Sequence, residues 1–258
     1  MNLFKRITII ISMAAAAFGA ASCEQDSTLR YGNFTMGNVV DGKFVSDQGN
    51  TFNVVEQLCP GKLDTMKRAI IICDVLKAAE GKNDEYDVRL RQMAKVLDKT
   101  PVAAADATEG DISVCDPVHI AQVWISGGYI NMEIHFETKV NSKKQHLINL
   151  VFNGKTVKEE GKTPAYSFTL RHNAFEDTLT ENNKEDVFVV GAGYVSFPIM
   201  GIMEEEQAVI DLEWKSHIIT DGAWSVETAE NSYSIPYTKG EFQHVPSQVS
   251  TAAAVIME

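Results

Sequence analysis

Strict alternation of apolar and polar side chains is the strongest signal in this chain, and it is densest in the second half. From Tyr129 to Lys139, Ile130, Met132, Ile134 and Phe136 fall on one face of an extended segment, while Asn131, Glu133, His135 and Glu137 fall on the other. A period of two sends successive side chains to opposite faces, so the segment predicts a strand with one buried face. The same period places Ile148, Leu150 and Phe152 together, then Tyr166, Phe168 and Leu170, and it recurs over residues 187–190, 194–199 and 208–214. Polar turns such as Asn153-Gly154 and Glu181-Asn182-Asn183 separate these segments. Together they predict an antiparallel β-sandwich over residues 113–240. Residues 232–237 read as an edge strand, since Pro236 lacks the N–H that an interior ladder needs, and residues 241–258 read as a loose tail.

The first half is punctuated more tightly. Phe34, Met36, Val39 and Val40 lead into Asp41-Gly42, after which Lys43-Phe44-Val45 resumes an extended pattern. Asp-Gly between apolar residues marks a two-residue hairpin, because both central positions need positive φ. Asp47-Gln48-Gly49-Asn50 gives a second turn before residues 51–55. Beyond Pro60-Gly61, the continuous run Ala69-Ile70-Ile71-Ile72-Cys73 predicts a strand buried on both faces. Residues 86–90 alternate again, and residues 93–97 either continue that strand or make one turn of helix. Five short strands in about seventy residues predict a small OB-like β-barrel over 31–100, a pattern that an SH3-like barrel would share. The small, weakly patterned residues 101–112 read as a linker. No long segment of helical period follows the N-terminal leader, so the expected class is all-β, a barrel followed by a sandwich.

The leader changes the picture of where this fold resides. Lys5 and Arg6 precede an apolar stretch at 7–18, and Gly19, Ala20, Ala21 and Ser22 lead to Cys23. Charge, a short greasy run and small residues make a secretory signal too short to span a bilayer. A cysteine directly after the small residues is the substrate arrangement of signal peptidase II, which cuts before a lipid-bearing cysteine. Residues 1–22 are therefore expected to be a cleaved lipoprotein signal, Cys23 the lipidated residue, and residues 23–30 a polar tether to a membrane. Several acyl chains on one cysteine anchor a protein far more firmly than a single chain does.

Charge and cysteines narrow the chemistry. The chain has 23 basic and 35 acidic residues, and losing Lys5 and Arg6 with the leader takes its net charge from −12 to −14. Such a surface repels phosphate backbones and argues against a nucleic-acid partner. After lipidation Cys59, Cys73 and Cys115 remain, so at most one disulfide can form, and their spacing is not that of a metal site. Cys73, within its apolar run, is expected to be a small core residue.

Several stretches resemble the NigD-like lipoproteins of Bacteroidota. They are Tyr31-Gly32-Asn33, Asp47-Gln48-Gly49 and Tyr86-Asp87-Val88 in the first half. In the second half they are residues 125–131, Lys144-Gln145-His146 and Leu170-Arg171-His172-Asn173-Ala174. The resemblance covers most of residues 23–215. It implies an N-terminal OB domain, a C-terminal β-sandwich and an outer-membrane setting. The family name reflects an association with bacteriocin genes, and the resemblance offers no catalytic residues to carry over.

Candidate chemistry is sparse. His135, His146 and His172 lie in segments expected to be neighbours, but His135 sits among polar positions and the other two among apolar ones, so they read as three separate histidines. The stripe Glu133, His135 and Glu137 has the residue types to bind a cation, and outward positions of a solvated sheet would look the same. Arg171, His172 and Asn173 are the candidate recognition residues, although the tripeptide also suits a strand end with Asn173 turning the chain. There is no Gly-x-Ser-x-Gly, His-Glu-x-x-His or phosphate-cradling glycine loop. The expectation is a non-enzymatic envelope protein without a cofactor that binds a protein, peptide or glycan. A bacteriocin immunity or accessory role, and a cryptic hydrolase or metal enzyme, are the alternatives.

Overall fold

The computed structural model describes residues 29–108, 113–156, 163–220, 222–241 and 243–244. The leader, Cys23 and most of the tether lie outside the described residues, as does the tail beyond 244. Among the described residues the chain divides into two compact units: 29–98 with 194–196, and 99–193 with 197–244.

The first unit is a closed five-stranded barrel. Its strands are β1 (Leu29–Val40), β2 (Lys43–Ser46), β3 (Thr51–Gln57), β4 (Arg68–Ala78) and β5 (Glu85–Lys95). Their order around the barrel is β1-β2-β3-β5-β4, with β3 and β5 parallel and β1 against β4 closing the ring. That is the expected OB-like barrel. Asp41 and Gly42 take φ of 50° and 77°, as a tight hairpin turn requires. Phe44, Phe52, Ile71, Val88 and Leu90 are fully buried and form the barrel core, with Cys73 beside them. Burial pushes the Cys73 thiol up to about 11, with the neighbouring Asp74 carboxylate adding to the effect. Cys59, Cys73 and Cys115 are all free thiols.

One feature of the barrel was invisible to a hydrophobicity count. Arg68, at the start of the apolar run, is completely buried, and its guanidinium grips Asp47 through two parallel bonds of 2.8 and 2.6 Å. Nη1 also donates to Asn38 Oδ1 at 3.0 Å and Nε to Ser196 Oγ at 2.8 Å. The fork geometry of arginine matches the carboxylate, and the extra acceptors satisfy its remaining donors.

The second unit is a sandwich. In chain order, β6 (Leu97–Asp98) still belongs with the barrel, where it pairs in parallel with residues 195 and 196. Then come β7 (Val102–Ala103), β8 (His119–Ser126), β9 (Tyr129–Lys139), β10 (Leu147–Thr156), β11 (Ala165–Asn173), β12 (Phe188–Pro198), β13 (Gln207–Thr220), β14 (Ala223–Thr238) and β15 (Gln243–His244). One sheet has the order β14-β13-β11-β10-β7, and the other contains β15-β8-β9-β12. Most ladders are antiparallel, but β11 pairs with β13, and β10 with β7, in parallel. Leu150, Phe168, Leu170, Ile210 and Leu212 line the inner face of the first sheet and are fully buried.

Several expectations change. Val102 and Ala103, expected within a linker, instead pair with Val151 and Phe152 as an edge strand. Asn153-Gly154, expected as a turn, is a bulge inside β10, where Gly154 takes a φ of 127° and the strand continues to Thr156. Residues 187–190 and 194–199 form one strand rather than two. The glycines between them leave it unbroken, and Gly191 makes room for Phe136, whose ring lies 3.1 Å from where a Cβ would stand. In the tail, Gln243 and His244 pair with Ile125 and Trp124 of β8. Residues 93–95 continue β5 and form no helical turn.

The Arg68–Asp47 pair yields a direct test. Asp47→Ala leaves a buried guanidinium without its counter-charge, and the expected loss is about 3–5 kcal/mol of barrel stability by urea denaturation.

Candidate functional site

The site develops at one end of the sandwich, where three segments meet: residues 114–118 before β8, the β9–β10 turn, and the long β11–β12 connection. β9 ends on Thr138 and Lys139, and Asn141, in the turn that follows, takes a φ of 66°. The connection begins at Asn173, the last residue of β11, whose Oδ1 accepts the Phe175 N–H at 2.8 Å. This is the side-chain turn that a strand-ending asparagine favours. Phe175 and Glu176 then take φ of 51° and 68°, two successive non-glycine residues in the left-handed region.

The surrounding structure holds that unfavourable backbone firmly. Asp177 N–H donates to Ala174 O at 3.0 Å, and Ala174 N–H to Asp116 Oδ2 at 2.7 Å. The Lys144 ammonium donates to the Phe175 carbonyl. Further along, Asn183 clamps the loop, accepting from Thr180 N–H at 2.7 Å and donating to Thr178 O at 2.9 Å.

Asp177 is the anchor. Its carboxylate is almost wholly buried, and it accepts the Lys139 N–H at 2.8 Å and the Thr138 hydroxyl at 2.7 Å. Burial alone would raise its pKa. Bonds from Ser142, Lys139, Thr138 and His146 together outweigh that and hold it down at about 2. Behind it runs a chain of imidazoles: His146 Nε2 faces Asp177 Oδ2 at 3.3 Å, and His146 Nδ1 meets His172 Nε2 at 3.0 Å. His172 Nδ1 in turn lies 2.9 Å from the Pro117 carbonyl. A carbonyl only accepts, so His172 carries its proton on Nδ1, and its Nε2 accepts from His146 Nδ1. Burial pushes His172 down to about 4, so it is neutral at pH 7.

These elements enclose an open cleft of about 870 Å³. Asn173, Phe175, Glu176 and Asn182 stand on its wall, with Asp116, Lys139 and Lys144. Phe175 is 48% exposed, unusual for an aromatic ring held in place by its backbone.

The expected site residues separate. Of the Arg171, His172 and Asn173 tripeptide, strand alternation sends His172 into the core, while Arg171 and Asn173 take the other face. Only Asn173 reaches the cleft, and Arg171 Nε makes no hydrogen bond. The stripe Glu133, His135 and Glu137 also divides. Glu133 Oε1 pairs with His135 Nε2 at 3.0 Å on the half-exposed part, whereas Glu137 is buried, 3.2 Å from His217 Nε2 of β13. The latter is an ion-pair distance whose angles form no hydrogen bond, and His217 Nδ1 has no partner either. The stripe thus is not the uniformly solvated face that alternation suggested, because His217 of β13, from the facing sheet, packs beside Glu137. Among the described residues, no group of three or more His, Cys, Asp or Glu side chains is placed to hold a metal. The reading of three separate histidines also changes: His146 and His172 are in contact, and His135 instead neighbours His119, ring centroids 6.1 Å apart.

Residues 100–227 match the model of the NigD-like C-terminal beta sandwich domain. The chain is NigD-like. That agrees with the resemblance carried by stretches such as 125–131 and 170–174. Among solved structures, a NigD-like immunity protein from Bacteroides caccae is similar at 17% identity and a TM-score of 0.56, over 84% of this chain and 100% of that one. A protein of unknown function from Bacteroides vulgatus matches at 19% identity and a TM-score of 0.53, over 83% and 96% of the two chains. A candidate lipoprotein from Bacteroides fragilis matches at 14% and 0.54, over 81% and 99%. At these identities the likeness is one of fold. No curated protein matches the chain. The cleft therefore belongs to the NigD-like sandwich unit, built from residues 114–183 within the matched span.

Phe175, Glu176 and Asp177, the residues that shape this NigD-like cleft, gave no sequence signal. They lie just past the 170–174 stretch, in a connection without periodicity.

Two outcomes follow for the NigD-like sandwich. His119, pushed down to about 4 by burial and then by His135, and His172 both bind protons in the unfolded chain below pH 6.5 but not in the fold. Stability therefore falls as pH drops from about 6.5 towards 4, by a few kcal/mol in urea titrations, while the Asp177 contribution stays whole down to about 3.8 and is lost as pH falls from there to about 2. Asp177→Ala strips the hub of its acceptors; it should cost about 3 kcal/mol and expose residues 174–187 to limited proteolysis at neutral pH.

Proposed function

We propose that this NigD-like protein is a non-enzymatic lipoprotein, anchored in the outer membrane through Cys23, that binds a ligand in the sandwich cleft. The cleft itself carries the reading: an open cavity of about 870 Å³ whose wall holds Phe175 and Glu176 in left-handed backbone. Strain of this kind costs about 1–3 kcal/mol per residue and persists where the surrounding structure over-determines it, most often at ligand sites. The address rests on the charged, apolar and small-residue order of 5–22 before Cys23, and the Bacteroides fragilis relative of the same fold is described as a candidate lipoprotein. The chemistry of the cleft is that of recognition. Its described lining presents amides, hydroxyls, one aromatic ring and four charged side chains, and the contact of the Thr178 hydroxyl with His217 Nε2, at 3.5 Å, is buried. The Glu133, His135 and Glu137 stripe is split between surface and core, so the metal-enzyme alternative gains nothing from it.

A bacteriocin immunity or accessory role is the second reading, favoured by the description of the Bacteroides caccae relative as an immunity protein. It would place a toxin in the same cleft.

Replacing exposed Asn182 with a photo-crosslinking amino acid in living cells tests the binding role. An adduct that disappears when the probe is moved to an exposed barrel residue such as Lys95 is the expected result; no adduct at Asn182 would overturn the role. Protease shaving of intact cells, with Cys23→Ala as the unanchored control, tests the address. Membrane-associated protein should become soluble in the variant, and an unchanged membrane fraction would count against lipidation at Cys23.

A further inference from the structure

The geometry points to a neutral saccharide as the occupant of this cleft, an inference that rests on the binding role proposed above. Three independent features carry it. The first is lining chemistry. The exposed Asn182 amide, the exposed Thr180 hydroxyl and the Asn173 Nδ2 contribute polar groups, while Asn183 and Thr178 are engaged within the loop and Val114 and Phe175 are the apolar residues among the described lining. An amide offers donors and acceptors side by side, which suits a ligand whose hydroxyls are both.

The second feature is charge. Lys139 and Lys144 stand against Asp116 and Glu176 on the wall, so the described lining is balanced. Most of that charge is already engaged: Lys139 with Asp186 at 3.0 Å, Lys144 with the Phe175 carbonyl, and Asp116 with the Ala174 N–H at 2.7 Å. With Asp186 counted, three carboxylates face two ammoniums, so the wall lacks the basic surplus that an acidic sugar needs, and a neutral saccharide is preferred over an acidic one.

The third is Phe175. Its ring is 48% exposed, while its backbone holds a φ of 51° that glycine would adopt more easily. Neither core packing nor turn chemistry explains a phenylalanine there. A sugar does. One face of a pyranose carries C–H bonds polarised by neighbouring oxygens, which suit the negative face of an aromatic ring. The hydroxyls at its rim then meet the flanking amides. A single aromatic platform beside asparagines and threonines is the arrangement this pairing needs.

The test uses the full-length chain on an array of neutral and acidic oligosaccharides, followed by calorimetry with the best neutral binder. Retention of a neutral oligosaccharide is expected, with affinity falling about tenfold or more in Phe175→Ala, as for loss of a central aromatic anchor. Phe175→Gly separates ligand contact from folding. It should lose binding equally while its thermal midpoint stays the same or rises, because glycine tolerates this backbone. Phe175→Trp should retain binding. No neutral sugar bound at millimolar concentration, retention of acidic sugars alone, or an unchanged affinity in Phe175→Ala would each overturn the inference. An Asn182 crosslink to a protein with no sugar bound would remove the saccharide and leave the binding role standing. Absence of both would remove the two together.

Discussion

A carboxylate taken out of water must find donors nearby or lose its charge, and the cleft end of the sandwich is arranged around that requirement at Asp177. Its donors come from the end of β9, from the β9–β10 turn and from His146 just before β10, while Asp177 itself belongs to the β11–β12 connection. One buried charge thus ties together segments that are distant in sequence. The turn, the start of β10 and the connection can satisfy it only in one mutual arrangement, and that arrangement forms the cleft wall. The left-handed residues directly before it, Phe175 and Glu176, lie between two fixed points, the Asn173 side chain and the Asp177 carboxylate. Without those points the chain would relax out of the left-handed region, which costs about 1–2 kcal/mol per residue.

Buried polarity recurs through both units in different forms. In the barrel, Arg68 and Asp47 satisfy each other through a fork of two bonds, with Asn38 and Ser196 taking the remaining donors. In the sandwich, the imidazoles of His146 and His172 are linked to each other between two acceptors, the Asp177 carboxylate and the Pro117 carbonyl. Glu137 and His217 bring the two sheets together without full satisfaction of either group. A buried ion pair contributes little net stability over an apolar pair, but breaking one is costly. Such contacts penalise wrong registers more than they strengthen the right one.

A NigD-like sandwich and an OB-type barrel set architecture without setting task, since one fold serves many functions. The solved structures that share this architecture, at 14–19% identity, speak for the fold alone. The features that bear on task are local: an exposed residue Phe175 on strained backbone, polar groups around it, and a wall without surplus basic charge. Those features turn a general β-sandwich into a particular surface, and the functional reading rests on them.

The sequence by itself determined the all-β class, the barrel and the sandwich, because alternation and turn chemistry act over a few residues and need no partner. Ile130 to Phe136 shows this: two-residue alternation specifies a strand wherever its partner lies. The Asp41-Gly42 hairpin was legible for the same reason, and so was the edge position of Pro236. Asn153-Gly154 misled because the same dipeptide serves a turn or a bulge, and only pairing with β11 decides which. The site was legible at Asn173 alone. Asp177 reads as an ordinary loop acid until the end of β9 donates to it, and Glu137 as an outward residue until His217 of β13 packs beside it. Which charges are buried, which histidines touch and which ring stays exposed depend on residues 16 to 80 positions apart, such as His119 and His135 or Glu137 and His217. Only the tertiary structure decides such contacts, because desolvation is a property of what surrounds a group and not of its neighbours along the chain.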